Sequence, residues 1–190
     1  MSLTQEEKKA IFHPLYFLFA LIMWSLVLGW LAVIFSLSSE SGEASSMRSS
    51  DMVRRISETF HLYVNEDFLR HCAHVFEYIV LSVLCYIAMF ATNHVKVAPF
   101  SGSMLEKLKN DNEVYIAVAL WITALAAAAD EYHQIFVPGR ASRLLDVFLD
   151  LAGAFVLMLI IRIVVSIYVY VKNKKEMVGM IAAETHMEEM

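Results

Sequence analysis

The chain has 190 residues, of which 58% are hydrophobic and only 18% are charged. Soluble domains contain about 45–50% apolar residues, so the composition excludes a single water-soluble core and predicts a protein with several membrane spans. The formal net charge of -5 lies largely in tails and loops, and no basic stripe with interleaved aromatic residues indicates a nucleic-acid partner.

Four segments are apolar enough to cross a bilayer, which requires about 20 residues. They are Pro14 to Phe35, Cys72 to Thr92, Val114 to Val137 and Leu144 to Val171. We therefore predict an all-α membrane protein with four transmembrane helices. The first span has 22 residues without a charge. Because the apolar region of a signal peptide has only about 7–15 residues, we expect this span to be retained.

The basic residues predict the topology. With four spans, eight lysines fall on the side of the termini and six loop arginines fall on the other side. Cytoplasmic loops carry the excess of positive charge, so both termini are predicted to be cytoplasmic in the cell membrane. Residues 1–13 and 172–190 are then cytoplasmic and 14–171 form the membrane domain. Arginine suits fixed pairing with carboxylate or phosphate, which makes the outer side the predicted working side.

The first outer loop, Ser36 to Arg70, is too long for a plain connector. Its serine-rich part, up to Ser50, is interpreted as unstructured. The second part places Met52, Val53, Ile56 and Phe60 on one side of a helix, opposite two arginines. This one-sided apolar stripe predicts a short helix on the membrane surface.

The two cysteines, Cys72 and Cys85, lie in one predicted helix, 13 residues and therefore about 20 Å apart. A disulfide requires Cα atoms within about 7 Å, so the two thiols do not bridge each other. Both are interpreted as packing or lipid-facing residues.

Polar residues form arcs at the outer ends of three spans. On the second span, at about 100° per residue, the arc contains Arg70, His71, His74, Glu77 and Tyr78. On the fourth, one face contains Arg143, Asp146, Asp150 and Gly153. On the third, the arc contains Asp130, His133 and Gln134, with Glu131 pointing elsewhere, and Pro138-Gly139 ends the helix. Ionisable groups at membrane depth are costly, so a convergent cluster of these faces, together with Glu131 and Arg140, is a predicted functional site.

Several chemistries suit this cluster, and the sequence leaves them open. The polar groups could simply hold the bundle together. His71, His74 and Glu77 are candidate ligands for a divalent metal such as zinc or manganese. The candidate acids and bases are Glu77, Asp130, Glu131, His133 and Asp146. The candidate binding residues, with arginines for a phosphate, are Arg70, His74, Tyr78, Gln134, Arg140, Arg143 and Asp150.

Arg162 interrupts the fourth span. It either lies about 15 Å deeper than Lys172 or extends to the inner interface itself. We expect the second arrangement, since long basic side chains commonly reach toward the head groups.

The run DEYHQIFVPGRASRLLDVFLDLAGA, from Asp130 to Ala154, closely resembles the VanZ-like family. The resemblance extends to the motif around His74 and to the serine-rich segment after the first span, over about residues 14–165. Glu40 stands where glutamine is common in the family, Asp150 where asparagine is common, and His71 where a basic residue is common. The resemblance implies a small multi-span protein of the bacterial envelope, whose namesake is associated with low-level resistance to teicoplanin, a lipid-tailed glycopeptide, and not to vancomycin.

Two functions follow as expectations. The first is an envelope protein that changes susceptibility to lipid-tailed glycopeptides through the outward polar cluster. The alternative is a membrane enzyme that modifies a lipid head group or a lipid-linked cell-wall precursor. The expected partners are membrane lipid and a lipid head group, a lipid-linked precursor or a lipoglycopeptide. Without repeated halves or paired broken helices, the pattern disfavours a transporter.

Overall fold

The computed structural model describes residues 11–97, 104–140 and 142–188. In chain order the elements are β1 (Ile11–Phe12), α1 (Pro14–Ser38), α2 (Gly42–Phe60), α3 (Glu66–Asn93), β2 (Lys96–Val97), α4 (Met104–Gln134) and α5 (Leu144–Glu188). Four helices, α1, α3, α4 and α5, are long and apolar enough to span a membrane. The all-α fold with four spans is thereby confirmed.

Local sequence explains where the helices begin. Pro14 occupies the first turn of α1, where a missing N–H costs nothing. Ser41 caps α2 by accepting a hydrogen bond from the Ala44 amide at 3.3 Å. Asn65 caps α3 by accepting from the amides of the second and third residues after it, at 2.8 and 3.2 Å. Such caps satisfy amides that have no partner inside the helix.

The helix boundaries correct several expectations. The serine-rich run was expected to be unstructured, but it is helical from Gly42 onward because Ser41 supplies the cap. The second span begins at Glu66 rather than Cys72, and the third ends at Gln134 rather than Val137. The predicted surface helix is the second half of α2. Its Met52 and Phe60 are exposed, whereas Val53 and Ile56 are half-buried.

α3 is the central helix, since it contacts each of the other four helices. Its Tyr78, Leu81 and Cys85 are fully buried, against Val27 and Ile34 of α1 among others. Alanines at many of the remaining contacts, such as Ala88, Ala119, Ala127 and Ala154, allow close helix packing. Cys72, in contrast, is exposed, and both cysteines are free thiols, as expected.

The two ends of the bundle differ. At one end, β1 pairs antiparallel with β2, and the His13 amide donates to the Val95 carbonyl at 2.9 Å. Nearby on α5, Arg162 forms an ion pair with Glu113 of α4 at 2.8 Å, a partner that the sequence did not reveal. The other end, where α1 ends and α3 and α5 begin, is called the chamber end below. α5 is continuous through the expected tail, to Glu188.

Candidate functional site

A cavity of about 420 Å³ lies at the chamber end, between the first half of α2, the beginnings of α3 and α5 and the end of α4. We call it the chamber. It is lined by Gly42, Ser45, Ser46, Asp67, Arg70, His71, His74, Glu131, Gln134, Gly139, Arg140, Arg143, Asp146 and Asp150. Nine of these are among the predicted site residues. The structure therefore brings most of the predicted cluster together around one space.

The first half of α2 forms the roof of the chamber. The Gly42 amide donates to the Pro138 carbonyl at 3.0 Å, and a Cβ at Gly42 would overlap the carbonyl oxygen of Gly139. Gly139 itself has φ +74°, a conformation that favours glycine. The two glycines thus let α2 and the turn after α4 meet backbone to backbone. Sequence reasoning missed the roof, although Ser41 followed by Glu43 carried a helix-start signal.

Arg140 fastens the turn after α4 to the end of α1. Its Nε donates to the Glu40 carbonyl and its Nη2 to the Leu37 carbonyl, each at 3.2 Å. These carbonyls lie at and just after the end of α1, where the chain no longer supplies the regular helical amide one turn further on. Burial lowers the pKa of the Arg140 guanidinium below its usual range, and the neighbouring Arg70 and Arg48 act in the same direction. The group remains cationic at neutral pH, so Arg140 combines a structural contact with a charge on the chamber wall.

Glu131 and Gln134 form the α4 side of the chamber. The Glu131 carboxylate accepts a hydrogen bond from the Arg143 amide, and its backbone carbonyl accepts one from Ser142 Oγ at 3.0 Å. Glu131 lies off the arc of its neighbours, as expected, and it still lines the chamber because the chain leading into α5 folds over the end of α4. Gln134 Nε2 donates to Asp130 at 3.0 Å, which holds the amide beside the chamber.

The α3 and α5 walls face each other through His71 and Asp146, whose Nε2 and Oδ1 atoms are 3.7 Å apart. The other ring nitrogen of His71 donates to the Asp67 carbonyl at 2.6 Å. Arg70 pairs with the Asp67 carboxylate. One turn further into the bundle lie His74 and the buried Asp150.

Four predicted site residues lie outside the chamber lining. His133 turns toward α1, where its Nε2 is 3.0 Å from Ser39 Oγ. Glu77 lies below His74, at 3.3 Å, and its carbonyl accepts from Trp30 at 2.9 Å. Tyr78 and Asp130 are buried, 0% and 2% exposed. The Tyr78 hydroxyl and one oxygen of each carboxylate, Glu77 and Asp130, lack a hydrogen bond within the described chain.

The three metal-ligand candidates are not brought to one point. His74 approaches Glu77, whereas His71 approaches Asp146. Among the described residues, no group of three or more histidine, cysteine or acidic side chains is placed to hold a metal ion. The arrangement instead favours hydrogen bonding and charge pairing with a bound polar group.

Fold and site together define a multi-span α-helical membrane protein with a polar, arginine-bearing chamber at one end of its bundle. The VanZ/LLP1 family model matches residues 17–165, and the chain belongs to that family. The match runs from the first turn of α1 to the middle of α5, and it includes every residue that lines the chamber. No curated protein and no solved structure shows significant similarity to the chain.

Proposed function

We propose that the chamber opens to the outer side of the cell membrane and binds the head group of an envelope phospholipid. Through this binding the protein lowers susceptibility to lipid-tailed glycopeptides such as teicoplanin. The observation that carries the proposal is the layered charge of the chamber. Arg70, Arg140 and Arg143 lie near the helix ends, where Asp67 pairs with Arg70 and Asp146 approaches His71. The carboxylates of Glu131 and Asp150 lie deeper along the same walls.

The two layers suit different parts of one ligand. Guanidinium groups bind phosphate through paired, charge-assisted hydrogen bonds. Arg143 is available for this role, because its guanidinium has no hydrogen bond or ion pair with the described residues. The deeper carboxylates accept hydrogen bonds. A head group with a phosphate and a hydroxyl or ammonium donor, such as phosphoglycerol or phosphoethanolamine, matches both layers.

The link to teicoplanin comes from the family. A lipid-tailed glycopeptide anchors in the outer surface of the membrane, so a protein that holds head groups there changes the surface on which the antibiotic acts. Vancomycin has no such lipid tail and is the natural comparison. The proposal therefore predicts a selective effect on teicoplanin.

The test is antibiotic susceptibility in a sensitive Gram-positive host with the native chain, an Arg143→Gln chain or an empty vector, at matched membrane abundance. Arg54→Gln is the matched control, since Arg54 is exposed on α2 and pairs only with Asp51 at 3.2 Å among the described residues. We expect the native and Arg54→Gln chains to raise the inhibitory concentration of teicoplanin but not of vancomycin. Equal protection by Arg143→Gln, or none by the native chain, contradicts the proposal.

A second candidate, an enzyme that modifies the head group or a lipid-linked precursor, is favoured by one specific feature. Asp150 is 9% exposed, lines the chamber and faces the same space as His74. A buried carboxylate beside an imidazole suits proton transfer. Mass spectrometry of envelope lipids tests this candidate. New lipid species that appear with the native chain and disappear with Asp150→Asn support catalysis, and an unchanged lipid profile supports binding alone.

A further inference from the structure

An open, shallow groove with a volume of about 460 Å³ lies between α3 and α5. Every residue that lines it is aliphatic or glycine, in contrast to the polar chamber. Its walls include Val75, Ile79, Leu149, Gly153, Val156 and Ile160. We call it the α3/α5 groove.

The groove starts at the level of the deepest chamber residues on α3 and α5, His74 and Asp150. Val75 follows the chamber residue His71 by four positions, and Leu149 follows the chamber residue Asp146 by three. Residues at these spacings lie on the same face of a helix, one turn apart. His71 and Asp146 approach each other across the space between the two helices, so the groove adjoins the chamber between α3 and α5 and continues from there toward the bilayer centre.

Small residues create the groove. A Cβ at Gly153 would overlap the Val75 side chain and lie 3.1 Å from Ile79 Cδ1. The glycine thus brings the two helices close, and Ala152 beside it leaves a recess between larger side chains. Val156 and Ile160, 55% and 51% exposed, face away from the bundle core. The recess is therefore open to lipid along its length.

The length of the groove suits one leaflet. From Leu149 to Ile160 the helix advances eleven residues, or about 16 Å. The hydrocarbon core of a bilayer is about 30 Å thick, so the groove extends from the level of the chamber to about the bilayer midplane. The acyl chain of a lipid in the leaflet at the chamber end spans the same distance, about half of the hydrocarbon core.

We infer that the ligand of the chamber is a membrane phospholipid that lies with its head group in the chamber and one acyl chain in the α3/α5 groove. This inference rests on the proposed function and adds the position of the acyl chain of the bound lipid. Because the bilayer already surrounds the chain with apolar groups, the groove adds packing and orientation rather than a hydrophobic driving force. The head group supplies the affinity, and the groove selects a lipid over its water-soluble head group.

The experiment uses the full chain in lipid nanodiscs with phosphatidylglycerol that carries a photoreactive diazirine on one acyl chain. Mass spectrometry then locates the labelled residues. We expect labelling to concentrate at Val75, Ile79 and residues 149–160, and unlabelled phosphatidylglycerol or phosphatidylethanolamine to compete for it. Phosphatidylcholine, whose quaternary ammonium has no hydrogen-bond donor, is expected to compete poorly.

Two variants test the groove itself. Ala152→Leu fills the recess, and we expect it to lower the labelling about fivefold or more through lost packing contacts. Ala32→Leu makes the same change on an exposed face of α1, outside the groove, and is expected to leave labelling unchanged. The labelling of the two variants is compared under conditions in which both proteins have the same thermal stability. Labelling that is spread evenly over the lipid-facing helices, or that is the same in Ala152→Leu, overturns the inference.

A separate measurement distinguishes this failure from that of the proposed function. Saturation-transfer NMR detects binding of sn-glycerol 1-phosphate, the head group without chains, to the native and Arg143→Gln proteins. Binding that depends on Arg143 without groove labelling preserves the head-group site and overturns only the chain assignment. Absence of both signals overturns both proposals.

Discussion

Gly42 and Gly139 meet with no room for a side chain between them: a Cβ on Gly42 would overlap the Gly139 carbonyl oxygen. This contact joins the beginning of α2 to the turn that follows α4. It closes the chamber from above, since both glycines are part of the chamber wall. The position of the roof depends on two residues 97 positions apart in the sequence.

Gly42→Ala is therefore expected to destabilise the roof. The added methyl group meets backbone, which cannot move aside as a flexible side chain does, and such overpacking costs about 1–3 kcal/mol. Thermal unfolding of the purified protein in detergent measures the loss. Gly29→Ala is the control, because a Cβ at Gly29 meets nothing within 4 Å. Equal melting temperatures for the two variants would contradict the close contact.

Arg140→Lys is expected to lower the thermal stability of the protein, although the substitution keeps the positive charge. One guanidinium bonds the carbonyls of both Glu40 and Leu37, and a lysine ammonium lacks the planar fork needed to bridge them. The loss of one or both bonds is expected to cost about 1–3 kcal/mol. Arg143→Lys is the comparison, with little effect on thermal stability. A stable Arg140→Lys protein would show that the contact to α1 is dispensable.

Glu131→Ala is expected to be more harmful to stability than Glu131→Gln. The carboxylate accepts the Arg143 amide at the beginning of α5. Alanine leaves that amide without its partner, at a cost of about 1–3 kcal/mol, whereas the glutamine carbonyl still accepts. Thermal unfolding and amide hydrogen exchange at residues 142–146 test whether Glu131→Ala is less stable than Glu131→Gln. Identical behaviour of the two variants would show that the hydrogen bond contributes nothing.

The predicted topology is tested with introduced cysteines. Cys85 is fully buried and is kept, while Cys72 is exposed and is replaced by serine. On intact cells, a membrane-impermeant maleimide is expected to label Ser50→Cys, on the exposed side of α2, and to label Lys174→Cys only after permeabilisation. The reverse pattern would place the chamber on the cytoplasmic side and contradict the proposed role at the outer surface.

Much of the architecture was predictable because it depends on local properties of the chain. The charge-free run from Pro14 and the apolar runs of the other three spans exceed the length needed to cross a bilayer, whatever their neighbours are. The polar arcs on α3 and α5 were also predictable, since 100° per residue fixes which side chains share a face. These two rules were enough to bring Arg70, His74, Asp146 and Asp150 into one predicted cluster.

Other features depend on contacts between distant segments, which periodicity does not encode. Glu131 lines the chamber because its carboxylate accepts the Arg143 amide from the chain that crosses the end of α4. His133 lies outside the chamber because its ring is turned toward Ser39 of the neighbouring α1 end. The serine-rich run has too little apolar periodicity to predict a helix, yet it becomes the roof once Gly42 packs on Gly139. Sequence by itself thus determined the spans and their polar faces, through length and helical geometry. Only the tertiary structure decided which side chains enclose the chamber and that an apolar groove adjoins it, because both arise from how closely neighbouring helices approach.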